Sequence, residues 1–245
     1  MRPAGLVFPG GGIFFWFQAG AISALSRRLT LSKVPVAGAS AGALAATLAA
    51  CESDVDDALH RALSLSEAAG VFERGPWGLR GVWGPMIEEW LDQLLPSDAA
   101  ARCSGRVRID VSQPRLFPPG LKSVALCEYE DKADLVSANM ASVHIPLFID
   151  GAWTRRHRGR RCVDGSIRFL GKRERLMPPG VVEESGRVRI ASVDSHLMRA
   201  RYNKPGSFLK LSSVDAVREM MEWGAIHVEE MDAGGKLDAL DAFRR

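Results

Sequence analysis

The chain has 245 residues, 47% of them hydrophobic and 25% charged, with a formal net charge of +3. This is the composition of an ordinary globular protein, long enough to bury a substantial core in one large domain, and it excludes a disordered or fibrous chain. The small positive excess, with neither a Cys/His finger spacing nor an aromatic RNA-binding signature, argues against nucleic acid as a partner.

Ala4 to Ser26 carries no charge and follows Arg2, which superficially resembles a signal peptide or a membrane span. Pro9-Gly10-Gly11-Gly12 breaks that run, because a helix through it would lose roughly 1 kcal/mol per glycine and about 3 kcal/mol for the proline. The segment therefore reads as a buried strand over Gly5 to Phe8, a tight loop over Gly10 to Gly12 and a helix from Trp16 to Leu29. Val34 to Ala37 reads as a second buried strand, and the Ala/Leu-rich run from Ala41 to Ala50 as a helix with almost no polar face, expected to be enclosed by protein on all sides.

Asp54, Asp56 and Asp57 begin a helix running towards Ala69, with Gly70 as its C-cap. After a Gly/Pro/Trp-rich loop from Gly75 to Gly84, Pro85 to Leu95 is amphipathic. Arg106 to Val111 and Ser123 to Tyr129 are strand candidates split by the turn-rich Pro114 to Gly120. A helix is expected over Lys132 to Val143, short strands over Arg161 to Val163 and Val188 to Val193, and a long helix over Val214 to Met231. Strands alternating with helices predict an α/β three-layer sandwich around a central, mainly parallel sheet. The expected organisation is one domain over residues 1–233 and a fraying C-terminal tail over 234–245. Cys51, Cys103, Cys127 and Cys162 are scattered, with no CxxC pair and no histidine at metal-ligand spacing, which points to a reducing compartment and to neither a disulfide framework nor a zinc site.

Three pieces carry chemistry. Gly38-Ala39-Ser40-Ala41-Gly42, between a strand and a helix, has the form of a nucleophile elbow, in which Gly38 and Gly42 remove side chains that would collide with the neighbouring strand and helix. Gly10, Gly11 and Gly12 follow the first strand and open the first helix. Their amides can form an oxyanion hole or cradle a phosphate, and the loop is equally explained by a need for positive φ. The spacing is not a dinucleotide fingerprint, since Phe15 stands where the third glycine belongs, and no Lys-Ser/Thr follows to make a P-loop. In Val163-Asp164-Gly165-Ser166 an acid follows a short apolar run. Within reach of the serine, Asp164 can act as its base; alone, Asp-Gly is a common turn signal. Among the five histidines, His196 completes the order Ser40, Asp164, His196 of an α/β-hydrolase triad, but only one strand and one helix precede the strand leading to Ser40, too few for that fold.

Together, Gly10-Gly11-Gly12, Gly38-Ala39-Ser40-Ala41-Gly42 and Asp164-Gly165 resemble the patatin-like phospholipase family. The resemblance extends through Gly20 to Leu25 and through Ala133 to Pro146, and is greater to the branch with the animal triacylglycerol lipases, because Phe14 and the following aromatics replace an Arg-Gly after the glycine loop. It implies a patatin-like fold with Ser40 as nucleophile, Asp164 as base of a Ser-Asp dyad, and Gly10, Gly11 and Gly12 as the oxyanion hole. The implied activity is hydrolysis of phospholipid, galactolipid or acylglycerol esters through an acyl-enzyme, without metal or other cofactor. Ser166 departs from the family's usual third-position Gly or Ala, and the chain after about Arg175 lies outside the resemblance.

Phe14, Phe15, Trp16 and Phe17 are expected either to wall an acyl site or to form the core face of a helix start. Trp77, Trp83 and Trp90 suit a lid or a lipid interface, or buried core positions. The cluster Arg155-Arg156-His157-Arg158-Gly159-Arg160-Arg161 suits anionic headgroups or a solvated hairpin. The expected partner is a lipid substrate at a membrane or lipid-droplet surface, in a cytoplasmic protein with peripheral attachment; nothing in the sequence speaks for or against an accessory protein. The competing roles are a catalytically silent lipid-surface binder and an esterase using Ser40, Asp164 and His196.

Overall fold

The computed structural model describes residues 4–169, 176–204, 206–211 and 213–245. The region around Arg175, where the family resemblance was expected to end, lies outside them. Two short apolar runs, Gly5–Phe8 (β1) and Val36–Ala39 (β2), are too short for helices and are buried at every residue. They pair in parallel, as strands covered on both faces do. Between them runs helix α1 (Phe15–Ser26), and after β2 comes α2 (Ala41–Cys51), in which every residue is buried, as its lack of a polar face requires.

Asp54 caps α3 (Val55–Ala68) by accepting from the Asp56 and Asp57 amides, and α4 (Trp83–Leu94) follows. Pro85 sits inside the first turn of α4, where its missing N–H costs no helical hydrogen bond. A short helix, α5 (Ala99–Cys103), leads into β3 (Val107–Arg115), which pairs in parallel with β2 and antiparallel with β4 (Gly120–Leu126). The expected turn region over 114–120 therefore narrows to a hairpin tip at residues 116–119.

Helix α6 (Lys132–Ser142) is followed by a small antiparallel pair, β5 (Arg155–His157) and β6 (Arg160–Cys162). β7 (Arg187–Arg189) joins the other side of β1 in parallel, giving the order β4-β3-β2-β1-β7. Helices α7 (His196–Arg201) and α8 (Val214–Ala233) complete the set. This is an α/β fold around a mixed, mainly parallel sheet. α8 lies directly on α1: a Cβ at Gly20 would stand 1.9 Å from the Met221 carbonyl oxygen, and one at Gly224 would stand 1.9 Å from that of Phe17. Phe8, Phe17, Leu6 and Leu48 are fully buried in the core, each stabilising the fold by about 1.5–3 kcal/mol.

Two expectations change. The segment after Gly234 does not fray: Leu237 and Leu240 are fully buried, the Thr30 amide donates to the Phe243 carbonyl, and Asp232 pairs with both Arg28 and Arg244. The strand expected over 188–193 stops at Arg189, and a 3-10 turn over Ser192–Asp194 takes its place. Among the described residues, no helix is long and apolar enough to cross a membrane.

Candidate active site

In open parallel sheets, ligands bind beyond the carboxyl ends of the strands. β1 delivers Gly10, Gly11 and Gly12 to that edge, and β2 delivers Ser40 beside them. The third track is made by Val163, whose backbone exchanges two hydrogen bonds with Ser112 of β3, 3.1 and 2.8 Å long. That pairing carries Asp164 from the end of β6 to the end of β2. The Ser40 hydroxyl then donates to Asp164 Oδ2 over 2.6 Å, the length of a charge-assisted O–H···O bond. Ser40 is 5% exposed and Asp164 is 3% exposed.

Ser40 has φ 54° and ψ −131°, a conformation that costs a non-glycine residue about 1–3 kcal/mol. Several contacts hold it. The Ser40 amide donates to Ser142 Oγ (2.9 Å), the Ala43 amide donates to the Ser40 carbonyl (2.8 Å), and Ser142 Oγ in turn donates to the Asp110 carbonyl (2.7 Å). The turn leaves no room for side chains: a Cβ at Gly38 would lie 2.0 Å from the Gly42 carbonyl oxygen, and one at Gly42 would lie 1.9 Å from the Phe8 oxygen. Around Asp164, its amide donates to the His144 carbonyl (2.7 Å) and the Ser166 amide donates to Asp164 Oδ1 (2.8 Å), which fixes the plane of the carboxylate. Ser166 is accommodated by Gly10, where a Cβ would stand 2.1 Å from Ser166 Oγ. Gln18 of α1 reaches back to donate to the Pro9 carbonyl (2.7 Å), tying the glycine loop to the helix it opens.

Ser40 opens onto a cleft of about 740 Å³, its solvent-open mouth included. The walls are apolar: Phe15 and Trp16 from α1, Leu65 from α3, Trp83 and Trp90 from α4, Ile145 and Ile149 from the loop after α6, with Gly12 and Leu211 beside them. Among the described residues, no cluster of three or more His, Cys, Asp or Glu side chains is placed to hold a metal ion.

Residues 6–169 match the patatin-like phospholipase family profile. The chain belongs to that family. Patatin-like relatives include the omega-hydroxyceramide transacylases of Mus musculus (29% identical over 169 residues, 67% of this chain and 27% of that protein) and Homo sapiens (29% over 170 residues, 67% and 31%). Patatin-like phospholipase domain-containing protein 2 of Rattus norvegicus is 29% identical over 163 residues, 65% of this chain and 33% of that protein. The chain thus spans about a third or less of the curated relatives it matches. Among solved structures, VipD from Legionella pneumophila aligns with a TM-score of 0.42 and 13% identity, over 78% of this chain and 50% of that one.

The structure brings Ser40, Asp164 and the patatin-like glycine loop together, but it does not bring His196 to them. His196 begins α7, its side chain 62% exposed and 3.8 Å from Glu230 of α8. With Ser40 and Asp164 in direct contact, no imidazole stands between them. His144 contributes its carbonyl to Asp164, while its fully buried ring bonds the Ala152 carbonyl at 3.2 Å, and burial holds its pKa below the ordinary histidine value.

The aromatic run divides by face. Phe15 and Trp16 line the cleft, Phe17 is core, and Phe14 stacks on Tyr202 at 5.3 Å. Trp90 is buried and donates to the Ala58 carbonyl, Trp83 lines the cleft, and Trp77 is 48% exposed. The arginine cluster forms the β5–β6 hairpin, where Arg155 pairs with Glu88 and Arg158 with Asp134 while Arg156, Arg160 and Arg161 are exposed.

Sequence reasoning missed Ser142. It lies inside Ala133 to Pro146, a stretch that carried the resemblance, but only the fold shows its hydroxyl linking the Ser40 amide to β3. Ser142→Ala removes a support of the strained elbow without touching substrate. It should lower kcat about tenfold with KM unchanged, whereas a purely structural role would lower the melting temperature and leave kcat of the folded protein intact.

Proposed function

We propose that this chain is a serine lipid acyl hydrolase working through a Ser40-Asp164 dyad and an acyl-enzyme. The supporting observation is the 2.6 Å Ser40 Oγ to Asp164 Oδ2 hydrogen bond at the end of an apolar cleft. Ser40 Oγ attacks the ester carbonyl carbon and its proton passes to Asp164 Oδ2, while amides of the Gly10, Gly11 and Gly12 loop stabilise the oxyanion. The tetrahedral intermediate collapses, the bond to the alcohol oxygen breaks, and Asp164 returns the proton to the leaving alcohol. A water then attacks the acyl-enzyme, Asp164 takes its proton, and Ser40 regains a proton as the fatty acid departs. An alcohol in place of water would give acyl transfer, the activity for which the mouse and human relatives are named.

The family supports a lipid substrate, and the apolar walls support an acyl chain. We place the protein at a lipid surface on the cytoplasmic side, and take residues 1–233 with their docked C-terminal segment as one catalytic unit. Phospholipids, galactolipids and acylglycerols incubated with the protein, with Ser40→Ala as control, test the reading. Release of fatty acid by the parent chain and none by the control is expected; equal release by both overturns it. The same assay separates dyad from triad. His196→Ala should keep the parent rate within about twofold, whereas a triad histidine would cost three or more orders of magnitude.

A further inference from the structure

β3 is longer than its parallel partner. Its pairing with β2 ends at Ala39 opposite Asp110, one residue before Ser40, yet β3 continues to Arg115. The five further residues carry the β3–β4 hairpin about 16 Å past the end of β2, beyond the carboxyl edge of the sheet that leads into Ser40. Its tip is apolar and unpacked: Leu116 is 83% exposed and Phe117 is 91% exposed, with the exposed cation of Arg115 beside them.

A second apolar patch lies on the cleft wall itself. Ile145 and Ile149 face the cleft, while Pro146, Leu147 and Phe148 between them line a shallow outer groove with Trp77 and Arg80. Phe148 packs edge-on against cleft-lining Trp83 at 6.1 Å and against Trp77 at 6.3 Å, so the Phe148–Trp83 pair forms a wall between groove and cleft. Leu147 has φ 63°, a left-handed conformation that a leucine adopts at a cost, and is 39% exposed. Its amide bonds the Ala152 carbonyl, which brings Trp153, 71% exposed, close by. Lys210 Nζ lies 5.0 Å from the Trp77 ring centre. Arg80 and Lys210 supply cations to the groove, and Asp150, which accepts from the Ala152 amide, is the acid of this loop.

A soluble surface rarely presents tryptophan, phenylalanine and leucine in such clusters without a partner, and indoles with flanking cations suit the boundary between acyl chains and anionic headgroups. We propose that the hairpin tip (Leu116, Phe117) and the cleft lip (Leu147, Trp153, Trp77) form one docking surface that seats the cleft mouth on a phospholipid surface bearing anionic headgroups. The proposal deepens the hydrolase reading, since it identifies how a lipid leaves its layer and reaches Ser40. Docking itself does not require the dyad to turn over.

The test therefore measures docking in the Ser40→Ala chain, by flotation with vesicles of mixed phosphatidylcholine and phosphatidylglycerol and with vesicles of phosphatidylcholine alone. Stronger flotation with the mixed vesicles is expected, weakened about tenfold by Leu116→Ser with Phe117→Ser and again by Trp153→Ser. In the Ser40-containing chain, the same substitutions should leave turnover of a water-soluble short-chain ester within about twofold while slowing vesicle hydrolysis about tenfold. No flotation, equal flotation with both vesicles, undiminished flotation of the variants, or self-association through these residues would each overturn the proposal. Failure to cleave the soluble ester would instead count against the dyad reading, and flotation would still decide the docking surface.

Discussion

Asp164→Asn should lower kcat by about three orders of magnitude while leaving the fold in place. Asparagine has the shape of aspartate: its Oδ1 can still accept from the Ser166 amide, while Nδ2 takes the place of Oδ2 and faces Ser40 Oγ as a donor, so the placement of the side chain survives. What is lost is the capacity to take a proton, because no other group stands between Ser40 and Asp164. Initial rates on a soluble ester, beside a thermal melt monitored by circular dichroism, separate the two effects. A fall of less than about tenfold with an intact melt would mean that another base serves Ser40.

The second large effect is expected at Gly42. A Cβ there would lie 1.9 Å from the Phe8 oxygen and 2.7 Å from the Pro9 oxygen, both backbone atoms that no rotamer change can move. Gly42→Ala must therefore push α2 away from the end of β1. Overpacking of this kind costs about 1–3 kcal/mol or more. The same displacement separates Ser40 from the glycine loop, and a misplacement of about 1 Å lowers the rate about 100-fold. Denaturant midpoints and initial rates together check this; an alanine variant with parent stability and rate would show that the elbow has slack.

The tight turn at Ser40 was legible because the need for small residues is local: Gly38 and Gly42 each stand two residues from the serine they flank. Asp164 was half legible. As an Asp-Gly pair it reads equally well as a turn, and what makes it a partner of Ser40 is the pairing of Val163 with Ser112, a contact between segments 51 positions apart. His196 shows the converse. Its place in the chain matched a triad, but chain order says nothing of distance, and the residue lies beside Glu230 on the surface.

β5 escaped notice because Arg-Arg-His has little strand preference of its own; the hairpin is set by Arg158 and Gly159, at φ 45° and 72°, and by pairing with β6. The C-terminal segment read as a frayed tail because its anchors, Asp232 with Arg28 and Leu29 with Arg244, join opposite ends of the chain. The role of Ser142 was hidden for the same reason, its partners being Ser40 and Asp110.

The central claim, that Ser40 is a nucleophile activated by Asp164, is tested most directly by reacting the folded chain with a fluorophosphonate and mapping the adduct by mass spectrometry. One adduct on Ser40 is expected in the parent chain, none in Ser40→Ala, and labelling slowed by orders of magnitude in Asp164→Asn. An unlabelled Ser40 in folded protein, an adduct on another residue, or an undiminished labelling rate in Asp164→Asn would contradict it.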